Sequence, residues 1–243
     1  MKPVLEPRML RIFPGKCLGC GARMERGSLC DSCSAEFVRA TGELCVDCGL
    51  PFRECRCVPA RIKSGRVRAF LKLYNYDPSE SETSTAHMIY LLKRGRSRRV
   101  IAFLADKLCE ALTEADLRGD GWCVSYVPRS RRAIAKYGYD HMKRLAREVA
   151  DRLGIPCESL LVHVGSREQK KLGAVGRAFA AANAYRIKPE VEVKGRRIIL
   201  LDDVLTTGAT LSNCTRLLAR AEATRLLCAV VAETRRGAAL TLK

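Results

Sequence analysis

Ile198-Ile199-Leu200-Leu201-Asp202-Asp203-Val204-Leu205-Thr206-Thr207-Gly208-Ala209-Thr210 is the stretch that decides the fold. Its four leading aliphatics show no polar alternation, the pattern of a central parallel strand covered on both faces. Two carboxylates follow that strand, and Thr206 to Thr210 open a helix expected over 211–221. Ligands of open parallel sheets lie at the carboxyl ends of the strands, so Asp202 and Asp203 are expected to project into the crevice there. Thr206, Thr207, Gly208, Ala209 and Thr210 then supply hydroxyls and consecutive backbone N–H groups at the positive end of a helix, a place that favours phosphate. Gly208 lets the backbone approach an anion with no Cβ in the way. Carboxylates accept hydrogen bonds from a vicinal diol and N–H groups hold a phosphate, so the segment suits a ribose 5′-phosphate.

Outward from this strand, helical and extended patterns alternate. Strands are expected at Arg68–Tyr76, Cys123–Val127, Leu160–Val164, Tyr185–Ile187 and Leu226–Ala232, and helices at Thr83–Leu92, Val100–Leu112, Asp140–Leu153 and Leu211–Ala221. Lys93-Arg94-Gly95 and Gly154 read as helix stops. The alternation predicts an α/β fold with a mainly parallel, doubly wound sheet.

The chain has 243 residues, enough for one such core and a small appended module. The expected division is a cysteine-rich module over 1–60 and the α/β domain over 61–243. The N-terminal residues carry charge and proline where a leader would need an apolar run, and the longest apolar run, Leu226 to Ala232, is far too short to cross a bilayer. A cytoplasmic location is expected.

Thirteen cysteines in a chain read as cytoplasmic point to metal ligation rather than disulfides. Eight form paired knuckles: Cys17 with Cys20, Cys30 with Cys33, Cys45 with Cys48, and Cys55 with Cys57. Four thiolates satisfy tetrahedral Zn²⁺ and leave no open position, so two structural zinc ions are expected. Sequential pairing of the knuckles is the simplest arrangement, and an interleaved one stays open. The module is too small to fold on its apolar core alone, and metal binding would supply the difference. The remaining cysteines sit singly among apolar neighbours as small hydrophobes.

The formal net charge is +18. Eight thiolates holding two zinc ions would bring it to about +14. The excess lies in 61–243, with 35 Lys and Arg against 19 Asp and Glu, so an acidic ligand is expected to meet the larger domain. Residues 1–60 carry nine basic against seven acidic residues, which favours protein docking or an active-site hood over nucleic-acid contact for the module. Basic strips at Arg61–Arg68, Lys93–Arg99 and Arg129–Arg132, with Tyr137 and Tyr139 beside the last, are candidate contacts for a single-stranded DNA backbone. The loop Arg129, Ser130, Arg131 and Arg132, following a strand end of the same sheet, suits a pyrophosphate.

Segment 198–210 resembles the thirteen-residue signature of type I phosphoribosyltransferases. Together with Cys17-x2-Cys20-Gly21, Val127-Pro128, Gly138-Tyr139, Gln169-x-x-Leu172 and Arg177, the chain resembles the ComF family of competence-associated phosphoribosyltransferase-like proteins over nearly its full length. The resemblance implies that 5-phosphoribosyl 1-pyrophosphate (PRPP) binds with Mg²⁺. Asp202 and Asp203 would hold the ribose hydroxyls, and Thr206 to Thr210 the 5′-phosphate. A loop carrying Gln169, Lys170, Lys171 and Arg177 would close over the ligand. Where many relatives read Arg-Gly-Phe-Asn-Gln, this chain has Tyr137-Gly138-Tyr139-Asp140-His141, with Lys136 a candidate stand-in for the missing arginine and His141, which could act as a base, read rather as structural. Ala180 stands where an Asn commonly follows the arginine. Two functions stay open: a transferase of ribose 5-phosphate serving DNA uptake or nucleotide salvage, or a non-catalytic accessory that senses PRPP or handles single-stranded DNA, with DNA-uptake proteins as partners.

Overall fold

A computed structural model describes residues 15–62, 66–94, 97–113, 117, 121–164 and 184–234. In chain order the elements are β1 (Gly15–Lys16), β2 (Arg23–Met24), α1 (Asp31–Gly42), a 3-10 turn (Ala60–Ile62), β3 (Val67–Tyr76), α2 (Ser84–Arg94) and α3 (Arg98–Thr113). They continue with β4 (Trp122–Tyr126), α4 (Arg131–Tyr137), α5 (His141–Leu153), β5 (Leu161–His163), β6 (Tyr185–Ile187), β7 (Arg197–Leu205), α6 (Ala209–Arg220) and β8 (Arg225–Thr234).

The main sheet has four strands in the order β3-β8-β7-β4, and every pairing is parallel. Side chains of β7 and β8 alternate between two covered faces. Ile199, Leu201, Leu227, Ala229 and Val231 pack with α2, α3 and α5 on one side, while Ile198, Leu200, Leu226, Cys228 and Val230 pack with α6, β5 and the 3-10 turn on the other. Both faces are dry, which is why neither strand shows polar alternation. β5 and β6 form a separate antiparallel pair.

The expected elements of 61–243 are present where described, with two differences that shape the site. First, β7 does not end at Leu201. Its pairing with β8 runs on to Leu205 opposite Glu233, whereas its pairing with β4 stops at Tyr126 opposite Leu201. One further bond, Val127 N–H to Leu201 O at 2.9 Å, closes that side before Pro128, which has no N–H to donate. Asp202 and Asp203 therefore lie within a strand that has outrun one neighbour. Second, the basic loop after β4 becomes α4. Ser130 accepts the Ala133 N–H on its hydroxyl as N-cap, and Gly138 closes the helix in the left-handed region.

The cysteine module is docked onto the sheet. Leu18, Phe37 and Ala40 join the same apolar cluster as Tyr74, Leu104 and Ile199. The Phe37 ring meets Tyr74 and Phe103 edge-on at 5.6 and 5.3 Å. Helix α1, absent from the expectation, exists because this apolar stripe has a partner surface; spacing of the knuckles alone carries no such information.

Candidate functional site

The site grows from the free segment of β7. Asp202 and Asp203 are adjacent in sequence and differ in their surroundings. Asp203 is closely held: its Oδ1 accepts the Val204 N–H at 2.6 Å, and its Oδ2 lies 2.9 Å from His141 Nε2 and 3.4 Å from Lys93 Nζ. Burial pushes its acidity down, but the His141 hydrogen bond and the Lys93 charge outweigh that and bring its pKa down to about 2. The Asp202 side chain accepts the Asp203 N–H on Oδ1 at 2.9 Å. Burial, joined by the charge of Asp203, pushes its pKa well above the usual carboxylate range. Asp202 is thus the carboxylate whose charge is least compensated, and the one that gains most from a ligand's hydroxyl donors.

Lys93 and His141 are carried to Asp203 by two helix ends. Asp140 caps α5, its Oδ1 accepting from Met142 and Lys143 N–H and its Oδ2 from Arg129 N–H, which fixes His141 as the first helical residue. The last carbonyls of α2 would otherwise lack partners. Tyr139 donates its hydroxyl to Leu92 O at 2.8 Å, and Arg129 donates to Lys93 O at 3.0 Å. A cation at a helix C-terminus is also favoured by the dipole. Arg129 is further stacked on Tyr137, with its guanidinium carbon 4.3 Å from the ring centroid.

At the loop, Gly208 has φ +76° and N-caps α6 with no side chain of its own, while the Ala209 N–H is donated to Thr207 Oγ1 at 3.4 Å. Thr206, Thr207 and Ala209 are exposed. Burial pushes the Tyr185 phenol of β6 up, an effect that neighbouring Thr210 opposes.

The structure thus brings Asp202, Asp203 and 206–210 together, and adds His141, Lys93 and Tyr185. Sequence reasoning placed His141 as a structural residue and gave Lys93 only to a helix stop and a basic strip. The signal for both is tertiary, since each sits more than sixty residues from Asp203. Ser130 serves as a helix cap, Arg131 and Arg132 occupy the exposed first turn of α4, and Arg129 is tied to α2. Gln169, Lys170, Lys171 and Arg177 lie outside the described residues.

The eight knuckle cysteines form two clusters, Cys17, Cys20, Cys30 and Cys33, and Cys45, Cys48, Cys55 and Cys57, with all sulfurs of each within 4.8 Å of one another. The pairing is sequential. Sulfur separations of 3.7 Å for Cys17 to Cys30, 3.8 Å for Cys20 to Cys30, and 3.5 Å for Cys45 to Cys57 fit a tetrahedron around one Zn²⁺. Its edge is about 3.8 Å for zinc–sulfur bonds of about 2.3 Å. Cys17 Sγ accepts the Gly19 and Cys30 N–H groups. These N–H groups, with Cys20 N–H, overcome burial and lower its pKa to about 6, which favours the ligating thiolate. The residues fit structural zinc.

Residues 143–242 match the phosphoribosyl transferase domain family, and residues 9–62 the double zinc ribbon domain family. The chain is 28% identical over 217 residues to the DNA utilization protein YhgH of Salmonella typhimurium, covering 85% of this chain and 92% of the relative. It is 27% identical over 198 residues to competence protein ComFC of Bacillus subtilis, covering 78% and 77%. A shorter match, 44% identical over 57 residues, joins 24% of this chain to 27% of adenine phosphoribosyltransferase from Mycobacterium tuberculosis. Among the described residues no helix is long and apolar enough to cross a membrane.

Proposed function

We propose that this homologue of the ComFC and YhgH proteins, in which a phosphoribosyl transferase domain follows a double zinc ribbon, binds PRPP at the free end of β7 and transfers its ribose 5-phosphate to an acceptor. The observation that carries the reading is the run of β7 beyond β4: it leaves Asp202 and Asp203 on a segment unpaired on the β4 side and delivers the chain into a glycine-capped helix N-terminus. On this reading Asp202 accepts the ribose hydroxyls, and Asp203, held by His141 and Lys93, fixes the strand and shares them. Residues 206–210 hold the 5′-phosphate. Arg131 and Arg132 would face the pyrophosphate, and a Mg²⁺ carried by the ligand would add charge neutralisation there; pyrophosphate leaves as the C1–oxygen bond breaks and the acceptor bonds to C1, the acceptor's proton passing to solvent.

Residues 1–60 would act as the zinc module and 61–243 as the transferase-like domain of a cytoplasmic protein. The names of the relatives support a place in DNA utilization or competence. Titration calorimetry with PRPP and Mg²⁺, followed by a pyrophosphate-release screen over bases and amines, tests the reading. Absence of PRPP binding by the zinc-loaded protein, or equal binding by Asp202→Asn, refutes it.

A second reading, an accessory that holds single-stranded DNA and does not turn PRPP over, is favoured by three cation–aromatic pairs near the site. The guanidinium carbons of Arg94, Arg129 and Arg144 lie over Tyr90, Tyr137 and Tyr139 at 4.7, 4.3 and 4.7 Å. Such pairs stack on bases and track phosphates. PRPP binding without pyrophosphate release, together with DNA affinity that falls steeply with salt, would select it.

A further inference from the structure

Among the described residues Lys72 is the only buried lysine, with its side chain 0% exposed. Burying an ammonium is unfavourable unless each donor meets a partner. Lys72 Nζ lies 3.2 Å from Cys45 Sγ, 3.8 Å from Cys57 Sγ and 3.4 Å from Glu233 Oε2, a set that matches its three N–H donors. Phe52, from the same knuckle region, covers it with its ring centroid at 5.3 Å.

Four thiolates on one Zn²⁺ carry a net charge of about −2, which an adjacent cation relieves. The two clusters differ here. The first receives backbone N–H groups on Cys17, and among the described residues no side-chain cation reaches its sulfurs. The second is faced by a lysine that belongs to β3, a strand of the main sheet.

The other end of the network reaches the ligand edge. Glu233 is the penultimate residue of β8 and the register partner of Leu205, the residue directly before Thr206. Thr234 donates its hydroxyl to Leu205 O at 3.5 Å. The buried chain is therefore Cys45 and Cys57, Lys72, Glu233, and the β8 backbone that backs the end of β7.

We propose that Lys72 is a positioning residue shared by the second zinc centre and the ligand-facing edge of the sheet, so that metal held by Cys45, Cys48, Cys55 and Cys57 steadies the end of β8 beside Leu205. Among the described residues the first cluster has no such link. Release of zinc from the second cluster and loosening of 225–234 are one event, and a chelator or thiol reagent acting there is felt at the base of the phosphate loop.

The test uses the full-length zinc-loaded protein. A chelator is titrated while thiol alkylation, read by mass spectrometry on separate peptides, reports each cluster, and amide hydrogen exchange reports 225–234. Exchange of 225–234 is expected to rise with alkylation of Cys45, Cys48, Cys55 and Cys57 and to be indifferent to that of Cys17, Cys20, Cys30 and Cys33. In Lys72→Met, zinc leaves the second cluster about 10- to 100-fold more readily, the range for loss of an outer partner of a metal ligand, and the first cluster is unchanged. Exchange of 225–234 that ignores the state of the second cluster overturns the proposal in the wild-type protein, even if the variant does not fold. Equal zinc loss from both clusters in a folded Lys72→Met also overturns it. Neither readout depends on PRPP, so a failure here is separate from a failure of the ligand assignment.

Discussion

Replacing Asp202 and Asp203 one at a time by Asn should move stability in opposite directions. Asp203 titrates at about 2 in the folded protein. Against an unfolded value near 3.9, that depression contributes about 2 kcal/mol at neutral pH. Because the folded pKa is the lower one, the contribution is in place above about pH 4 and fades as pH falls through about 2. Asp203→Asn removes the charge that faces Lys93 and His141, and should lower Tm at pH 7 by roughly 4–8 °C for a chain of this size. Asp202 has its pKa raised by burial and by the neighbouring charge, so its stabilising contribution is present only below the ordinary carboxylate pKa and is lost as pH rises through the folded one. Asp202→Asn relieves that cost, and the amide oxygen can still accept the Asp203 N–H. It should raise Tm at pH 7 while abolishing the further rise that PRPP and Mg²⁺ give the wild type, a trade of function for stability. Thermal melts followed by circular dichroism from pH 3 to 8, with and without ligand, read all of this. A lower Tm for Asp202→Asn at pH 7, or an unchanged one for Asp203→Asn, would refute the division of roles.

Gly208→Ala puts a side chain at φ +76°, and should cost about 1–2 kcal/mol in melts and weaken PRPP binding in calorimetry by blocking the approach of the phosphate. Arg129→Met uncaps Lys93 O, costs about 1 kcal/mol by denaturant titration, and should weaken PRPP binding through the displaced Lys93. Atomic absorption should find about two zinc ions per chain, and a strong chelator should remove the cooperative melt of α1 with the metal.

The sequence by itself determined most of the framework. Ile198–Leu201 and Leu226–Ala232 read as strands covered on both faces, because they are short apolar runs without polar alternation in an alternating strand and helix pattern; the dense knuckle spacing pointed to zinc because paired thiolates suit a tetrahedral metal. The carboxylates and the glycine of 202–210 are legible for the same local reason, since a strand end and a helix start lie within one short segment. Tertiary structure alone decided where β4 stops beside β7, and hence that Asp202 and Asp203 lie on a segment paired with β8 only. It also decided that Lys93 and His141 close on one oxygen of Asp203, and that Lys72, an unremarked position in an apolar strand, meets the thiolates of Cys45 and Cys57. Those partners come from segments far apart in the chain, and a buried charge reveals its purpose only through the groups that packing sets against it.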